Sequence, residues 1–222
     1  TTLQEAQQDN IFFTAAASQG QSIFASSGDS GSAGCAFDGS NPTKTILNAG
    51  DPAAQPFVTG VGGTTLSVSG TSYSSESTWN DPPNGNFSGG ASGGGISQYW
   101  TAPSWQSSPG VNNTYSTNTT CGASGGTICR ESPDVSLNAD PNTGYLVYCS
   151  STAAGCTSSG DWYSVGGTSA AAPMWAAFMA LTNEMSLKQG NFNIGFVNPL
   201  LYQIASNAAT YASSFHDITS GN

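Results

Sequence analysis

Apolar residues near the start of the chain recur at helical spacing. Leu3, Ala6, Phe13 and Ala17 share one side of a predicted helix over residues 1–18, and Gly20 stops it. Ile23-Phe24-Ala25 is short and continuous, which predicts a buried strand running into the turn-forming stretch from Ser26 to Gly31. Two further strands are predicted at Phe57-Val58 and over Thr64–Val68, on either side of a turn at Gly62-Gly63. Residues 70–130 are dominated by Gly, Ser, Asn and Pro and predict loops. Val135–Leu137 and Tyr145–Tyr148 then read as strands joined across the turn formers Asp140–Gly144. Ser169–Leu187 predicts an Ala-rich helix and Asn198–Ala205 a shorter one. This alternation predicts a single α/β domain with a mostly parallel sheet flanked by helices, without internal repeat or linker.

Leu, Ile, Val and Phe total only 35 of the 222 residues, a proportion associated with disorder. A charged fraction of 7%, an aromatic fraction of 10% and the patterned apolar runs argue for a packed domain instead. Gly, Ala, Ser and Thr stand in for aliphatic bulk, as in a tightly turned extracellular protein. The formal net charge is -10, and the three cations are Lys44, Arg130 and Lys188. Without a basic patch, nucleic acid and anionic membrane surfaces are excluded as partners. A chain with so few basic groups gains little self-repulsion when its carboxylates protonate, which suits acidic surroundings. No apolar run reaches the roughly 18 residues of a membrane span. No signal peptide is read at the start, which opens mid-pattern at Thr1-Thr2-Leu3.

Cys121 and Cys129 bracket a short Gly/Ser-rich loop, and so do Cys149 and Cys156. Both pairs read as local disulfides of an oxidising, secreted environment, although five cysteines leave other pairings open. Cys35 is then either a buried thiol or a partner for something outside the chain. Sequons at Asn86, Asn112 and Asn118 permit glycans, although chance explains them in so Ser/Thr-rich a chain.

The sharpest motif is Val165-Gly166-Gly167-Thr168-Ser169-Ala170-Ala171-Ala172-Pro173-Met174-Trp175. Glycines lead into a serine that opens a helix of small residues, with Pro173 expected in its first turn. There, backbone N–H groups and the helix dipole favour developing negative charge beside the Ser169 hydroxyl. A plain N-cap role for Thr168 or Ser169 is the structural alternative. Gly167-Thr168-Ser169, followed by Ala171 and Pro173, resembles the nucleophile segment of the subtilisin-like superfamily. A Ser-His-Asp triad is not encoded, because the one histidine, His216, lies downstream of the serine and beside Asp217. It reads as a surface or capping residue.

Phe24-Ala25-Ser26-Ser27-Gly28-Asp29-Ser30-Gly31 resembles the oxyanion-hole segment of the sedolisin family of serine-carboxyl peptidases. In the same order follow Pro52–Thr64, Ser92–Ser97, Pro103–Gln106, Pro133–Tyr145 and Phe196–Tyr202, each similar to the corresponding family segment. The resemblance implies a subtilisin-like fold and peptide hydrolysis in acid, with Ser169 as nucleophile and Asp29 as oxyanion donor. It implies that Ser92, Gly93, Gly94 and Gly95 bind substrate. It also implies a calcium site to which Asp217 and the carbonyl of Ile218 contribute. A carboxylate base fits acid conditions, in which a free histidine would be protonated and unable to take a proton from serine. The family's Glu/Asp pair belongs far upstream of Asp29. Glu5 and Asp9 are four apart on one helix face, but that helix matches a later family element, so they read as solvated surface residues. The expected partners are polypeptide substrates, the N-terminal remainder of the catalytic domain and a propeptide, with the chain cut at both ends and inactive alone. A catalytically silent peptide-binding relative, or a carbohydrate-binding or adhesive domain, are the competing readings.

Overall fold

The computed structural model describes residues 1–32, 48–82, 89–107, 116 and 119–221. Cys35, Lys44 and the three sequon asparagines lie outside the described residues. Among the described residues there are four α-helices: α1 (Leu3–Ser18), α2 (Thr168–Lys188), α3 (Asn198–Ala205) and α4 (Ala208–Ser214). The strands are β1 (Phe24–Ser26), β2 (Thr59–Ser69), β3 (Ser72–Thr78), β4 (Asn80–Asp81), β5 (Gly90–Ala91), β6 (Gly95–Thr101), β7 (Cys129–Ser132), β8 (Val135–Asn138), β9 (Tyr145–Cys149) and β10 (Asp161–Val165). None of the described helices is long and apolar enough to cross a membrane.

β2 organises the main sheet. Its first half pairs in parallel with β1, with Phe24 opposite Thr59, and on its other edge with β8, with Val61 opposite Val135. Its second half turns back at Gly70 into the antiparallel partner β3. Two of the three pairings in this sheet are parallel, as expected of the α/β fold, and β3 makes it mixed; β4–β5, β6–β7 and β9–β10 add separate antiparallel pairs. β3 escapes sequence reading because Ser, Thr and Glu fill it and most of it faces water. Only its pairing with β2 makes it a strand.

The expected turn at Gly62-Gly63 is also corrected: β2 runs straight through it. A Cβ on Gly60 would lie 2.6 Å from the Ser132 hydroxyl, one on Gly62 2.6 Å from the Pro133 ring, and one on Gly63 2.6 Å from the Ala139 methyl. These glycines let β2 accept neighbours against its backbone, so the signal taken for a turn is one of close packing.

α2 lies across β1, β2 and β8, burying Ala171 and Ala172 against Val61, with Phe24, Val135, Leu137 and Trp175 around them. Met179 continues the contact toward Val197 and Leu201. Pro173 is the sixth residue of α2, not in its first turn as expected, and there it withholds an N–H from the carbonyl of Ser169. α1 begins with a capping box: Glu5 N donates to Thr2 Oγ1 at 3.3 Å, and Thr2 N donates to the Glu5 carboxylate at 2.8 Å. Of its expected inner face, Ala6 is buried while Leu3 is exposed. Both expected disulfides are formed, Cys121–Cys129 and Cys149–Cys156.

Beneath this layer lies a fully buried ion pair. The Arg130 guanidinium donates to both Asp134 oxygens, at 2.8 and 2.7 Å, and to the carbonyls of Gln55, Val58 and Glu131. Asp134 also accepts from Gly60 N, Asn198 Nδ2 and the Tyr202 hydroxyl. Burial and the Asp134 charge push the Tyr202 phenol far above its ordinary range, so it stays a donor. Asp134→Ala would leave a buried guanidinium unpaired, and a loss of about 3–5 kcal/mol is expected in urea denaturation of the complete protein. A loss below about 1 kcal/mol would show that the pair does not organise the fold.

Candidate active site

β1 ends in Ser26, and the chain then turns through Ser27 and Gly28 to Asp29. Gly28 adopts φ +106°, a conformation that favours glycine. This turn meets the start of α2. Asp29 Oδ1 accepts from the Thr168 amide at 2.7 Å and from the Thr168 hydroxyl at 2.8 Å, while Gly28 N donates to Thr168 Oγ1 at 3.1 Å. Gly167, the residue preceding α2, has no side chain to cap the helix. Asp29 supplies the cap from another element, where the positive end of the helix dipole favours an acceptor.

Ser169 follows Thr168 directly and is exposed in the first turn of α2. No hydrogen bond of its hydroxyl to another described side chain competes with a ligand. Thus the structure joins Asp29 to the helix start that carries Ser169. Glu5 and Asp9 are not brought there: Glu5 is consumed by the α1 capping box, and both are exposed, as expected of surface residues. His216 stacks flat on Tyr73, with ring centroids 3.9 Å apart, and takes no part.

Ser92–Gly95 stand directly behind Asp29. Ser27 Oγ donates to the Gly93 carbonyl at 2.8 Å, Gly93 N donates to the Gly28 carbonyl at 2.7 Å, and Ser92 Oγ accepts from Gly63 N at 2.9 Å. A Cβ on Gly93 would overlap the Ser27 carbonyl, and one on Gly94 would sit 2.7 Å from the Ser132 carbonyl oxygen. Gly95 opens β6 opposite Ser132. Beside Asp29 is a cavity of about 520 Å³, lined among others by Ser30, Asp51, Tyr99 and Trp100. Burial raises the pKa of Asp51 in this cavity against a hydrogen bond from Gln55, and the Asp9 charge adds to the rise.

Asp217 lies after α4, where its Oδ1 accepts from the Tyr211 hydroxyl at 2.8 Å. A carboxylate and a neighbouring carbonyl are donors of the kind calcium takes, but calcium wants about six to eight oxygens. No group of three or more His, Cys, Asp or Glu among the described residues could hold a metal ion. Asp217 and Ile218 therefore suit such an ion in kind and fall short in number.

Thr168 was legible only as a possible cap, and its hydroxyl proves to be the hinge between the two loops. Gly167 is equally constrained. Its φ is +90°, and a Cβ there would lie 2.6 Å from Asp29 Oδ2. Gly167→Ala is expected to cost roughly 1–3 kcal/mol in thermal unfolding, and less in an Asp29→Ala background where the obstructing oxygen is gone. Equal costs in the two backgrounds would show that Asp29 does not press on this turn.

No family model matches the chain. It is similar to kumamolisin of Bacillus sp. (strain MN-32), with 38% identity over 213 residues that cover 96% of this chain and 32% of the relative. Sedolisin of Pseudomonas sp. (strain 101) is 36% identical over 217 residues, covering 97% of this chain and 31% of the relative. Among solved structures, Pseudomonas sedolisin, a serine-carboxyl proteinase complexed with two molecules of pseudo-iodotyrostatin, superposes with a TM-score of 0.72. That superposition is at 32% identity and covers 98% of this chain and 51% of that one. The chain thus spans about a third of the length of these curated relatives.

Proposed function

The chain belongs to the sedolisin family of serine-carboxyl peptidases, and on that premise we propose that the protein containing it hydrolyses peptide bonds in acid through an acyl-enzyme on Ser169. The observation that carries this reading is the Asp29–Thr168 clasp, which places a carboxyl group one residue from an exposed serine at a helix N-terminus. In the proposed reaction, Ser169 Oγ attacks the substrate carbonyl and its proton passes to a carboxylate base outside the described residues. The developing oxyanion lies at the first turn of α2. Both Asp29–Thr168 bonds fall on Oδ1, so a protonated Oδ2 is free to donate to the oxyanion. Ser92–Gly95 form the wall behind this point, against which an extended peptide is bound.

The rest of the catalytic domain would supply the base and cover the outer face of α2. Met174, Phe178, Leu181 and Met185 recur there at helical spacing, between 47% and 61% exposed. A propeptide is a further expected partner. The two disulfides support an extracellular protein. In the complete protein, calcium would be held by Asp217, the Ile218 carbonyl and further oxygens.

In the complete protein, Ser169→Ala should lower kcat by roughly 10⁶-fold, the scale of nucleophile loss elsewhere, while the fold survives. Near-wild-type turnover, or labelling of another serine by a fluorophosphonate, would overturn the assignment. Asp29→Asn keeps an N–H donor and should retain part of the activity, whereas Asp29→Ala should lose about 10²–10³ in kcat. Calcium should raise the melting temperature of the complete protein by mass action, and Asp217→Ala should abolish that rise. A calcium-dependent shift that survives the substitution would place the ion elsewhere.

A further inference from the structure

Thr168 is 0% exposed, and the two branches of its side chain meet different elements. Its methyl group faces β2, where a Cβ on Gly63 would lie 3.2 Å from Thr168 Cγ2. Its hydroxyl faces the turn after β1, between the Gly28 amide and the Asp29 carboxyl. A β-branched side chain has few χ1 rotamers, and this pair of contacts selects one of them. The hydroxyl is therefore aimed at Asp29 by the packing of its own methyl group.

The backbone fixes the direction of the hydrogen bonds along this path. An amide N–H can only donate. Gly28 N donates to Thr168 Oγ1 at 3.1 Å, which occupies a lone pair of the hydroxyl and leaves its proton to be given away. Asp29 Oδ1 receives that proton's bond at 2.8 Å. Thr168 N, which is likewise obliged to donate, reaches the same oxygen at 2.7 Å. Oδ1 thus takes two bonds whose polarity is set by main-chain amides, and neither falls on Oδ2. The path from Gly28 N–H through Oγ1–H to Oδ1 runs in one sense, so that each bond polarises the next.

This polarity decides between two forms of a protonated Asp29. A carboxylic acid has a carbonyl oxygen, which accepts on two lone pairs, and a hydroxyl oxygen, which has one lone pair fewer to offer. With the proton on Oδ2, Oδ1 is the carbonyl and keeps both donors. With the proton on Oδ1, that proton competes with the Thr168 donors, and a bond is lost. We propose that the Thr168 hydroxyl is a positioning group that assigns the Asp29 proton to Oδ2, the oxygen left free to donate to the oxyanion. Without the hydroxyl, the amide of residue 168 alone discriminates between the two oxygens, and a larger share of Asp29 carries its proton on the oxygen turned toward the helix. The loss then falls on the transition state, because the oxyanion exists only there.

The inference rests on Ser169 as the nucleophile and Asp29 as the oxyanion donor, and its failure is distinguishable from theirs. Thr168→Val removes the hydroxyl and keeps the shape of the side chain. In the complete protein, with an internally quenched fluorogenic peptide that the parent cleaves, it should lower kcat about fivefold or more and leave KM within about twofold. Thr168→Ser keeps the hydroxyl and should retain at least about half of the parent kcat. The decisive comparison uses an Asp29→Asn background, in which the donor is carried by a fixed atom while residue 168 still faces the amide oxygen. There Thr168→Val should cost less than about twofold in kcat, so that the two substitutions are not additive. Thr168→Ala, compared in the same two backgrounds, gives the same test if the valine variant does not fold. An equal kcat loss in both backgrounds would mean that Thr168 only braces the loop and would overturn the proton assignment, as would parental kcat in Thr168→Val. Turnover that survives Ser169→Ala, or that is indifferent to Asp29→Ala, would instead overturn the reading of the site, and the inference with it.

Discussion

The bidentate pair between Arg130 and Asp134 is the interaction on which the arrangement of elements depends. Neither side chain touches solvent, and two buried charges are tolerated only when their remaining hydrogen-bonding capacity is filled. Here the partners that fill it come from different parts of the fold. The Gln55 and Val58 carbonyls precede β2, Gly60 lies within it, Asn198 opens α3, and Tyr202 lies one turn further on. Satisfying one ion pair thus registers β2, the β7–β8 connection and α3 against one another. Gln106 extends the network by donating to Tyr202 and to the Glu131 carbonyl.

With β2 fixed, small residues determine what can approach it. A core built on Val61, Ala171 and Ala172 has little aliphatic volume to bury. It compensates by close contact, for which the absent Cβ atoms of Gly60, Gly62 and Gly63 leave room. The low aliphatic content that would mark a disordered chain is here the signature of backbones packed directly against side chains.

The same economy links stability to chemistry at the start of α2. A helix that begins after glycine lacks a cap of its own, and the Asp29 carboxyl provides it from the end of β1. The group proposed for the oxyanion is therefore held by the helix that presents Ser169, the proposed nucleophile. On the opposite side, the turn after β8 supports the same approach through the Ala139 and Pro141 carbonyls. Ser169 is exposed, but the loops around it are clamped from two sides.

Much of this was legible in the residues themselves. The α2 and α3 spans, the strands at Phe24, Val135 and Tyr145, both disulfides and the serine at a helix start are local features, carried by periodicity, short spacing and turn chemistry. Gly-Thr-Ser and the ordered segments around it sufficed to indicate the family. Arg130 and Asp134 offered a signal that passed unused, two opposite charges four residues apart in a chain with hardly any cations. Other features had no local signal. The polar strand β3, the passage of β2 through Gly62-Gly63, the exposure of Leu3 and the bond from Asn142 to Asp81 each depend on segments distant in the chain. Sequence by itself determined the α1, α2 and α3 helices and the strands at Phe24, Val135 and Tyr145, and it singled out the side chains proposed for the chemistry, because those properties follow from covalent structure and nearest neighbours. Only the tertiary structure decided which carboxyl caps which helix and which glycine admits which neighbour, because burial and hydrogen bonding between distant segments exist only once the chain has folded.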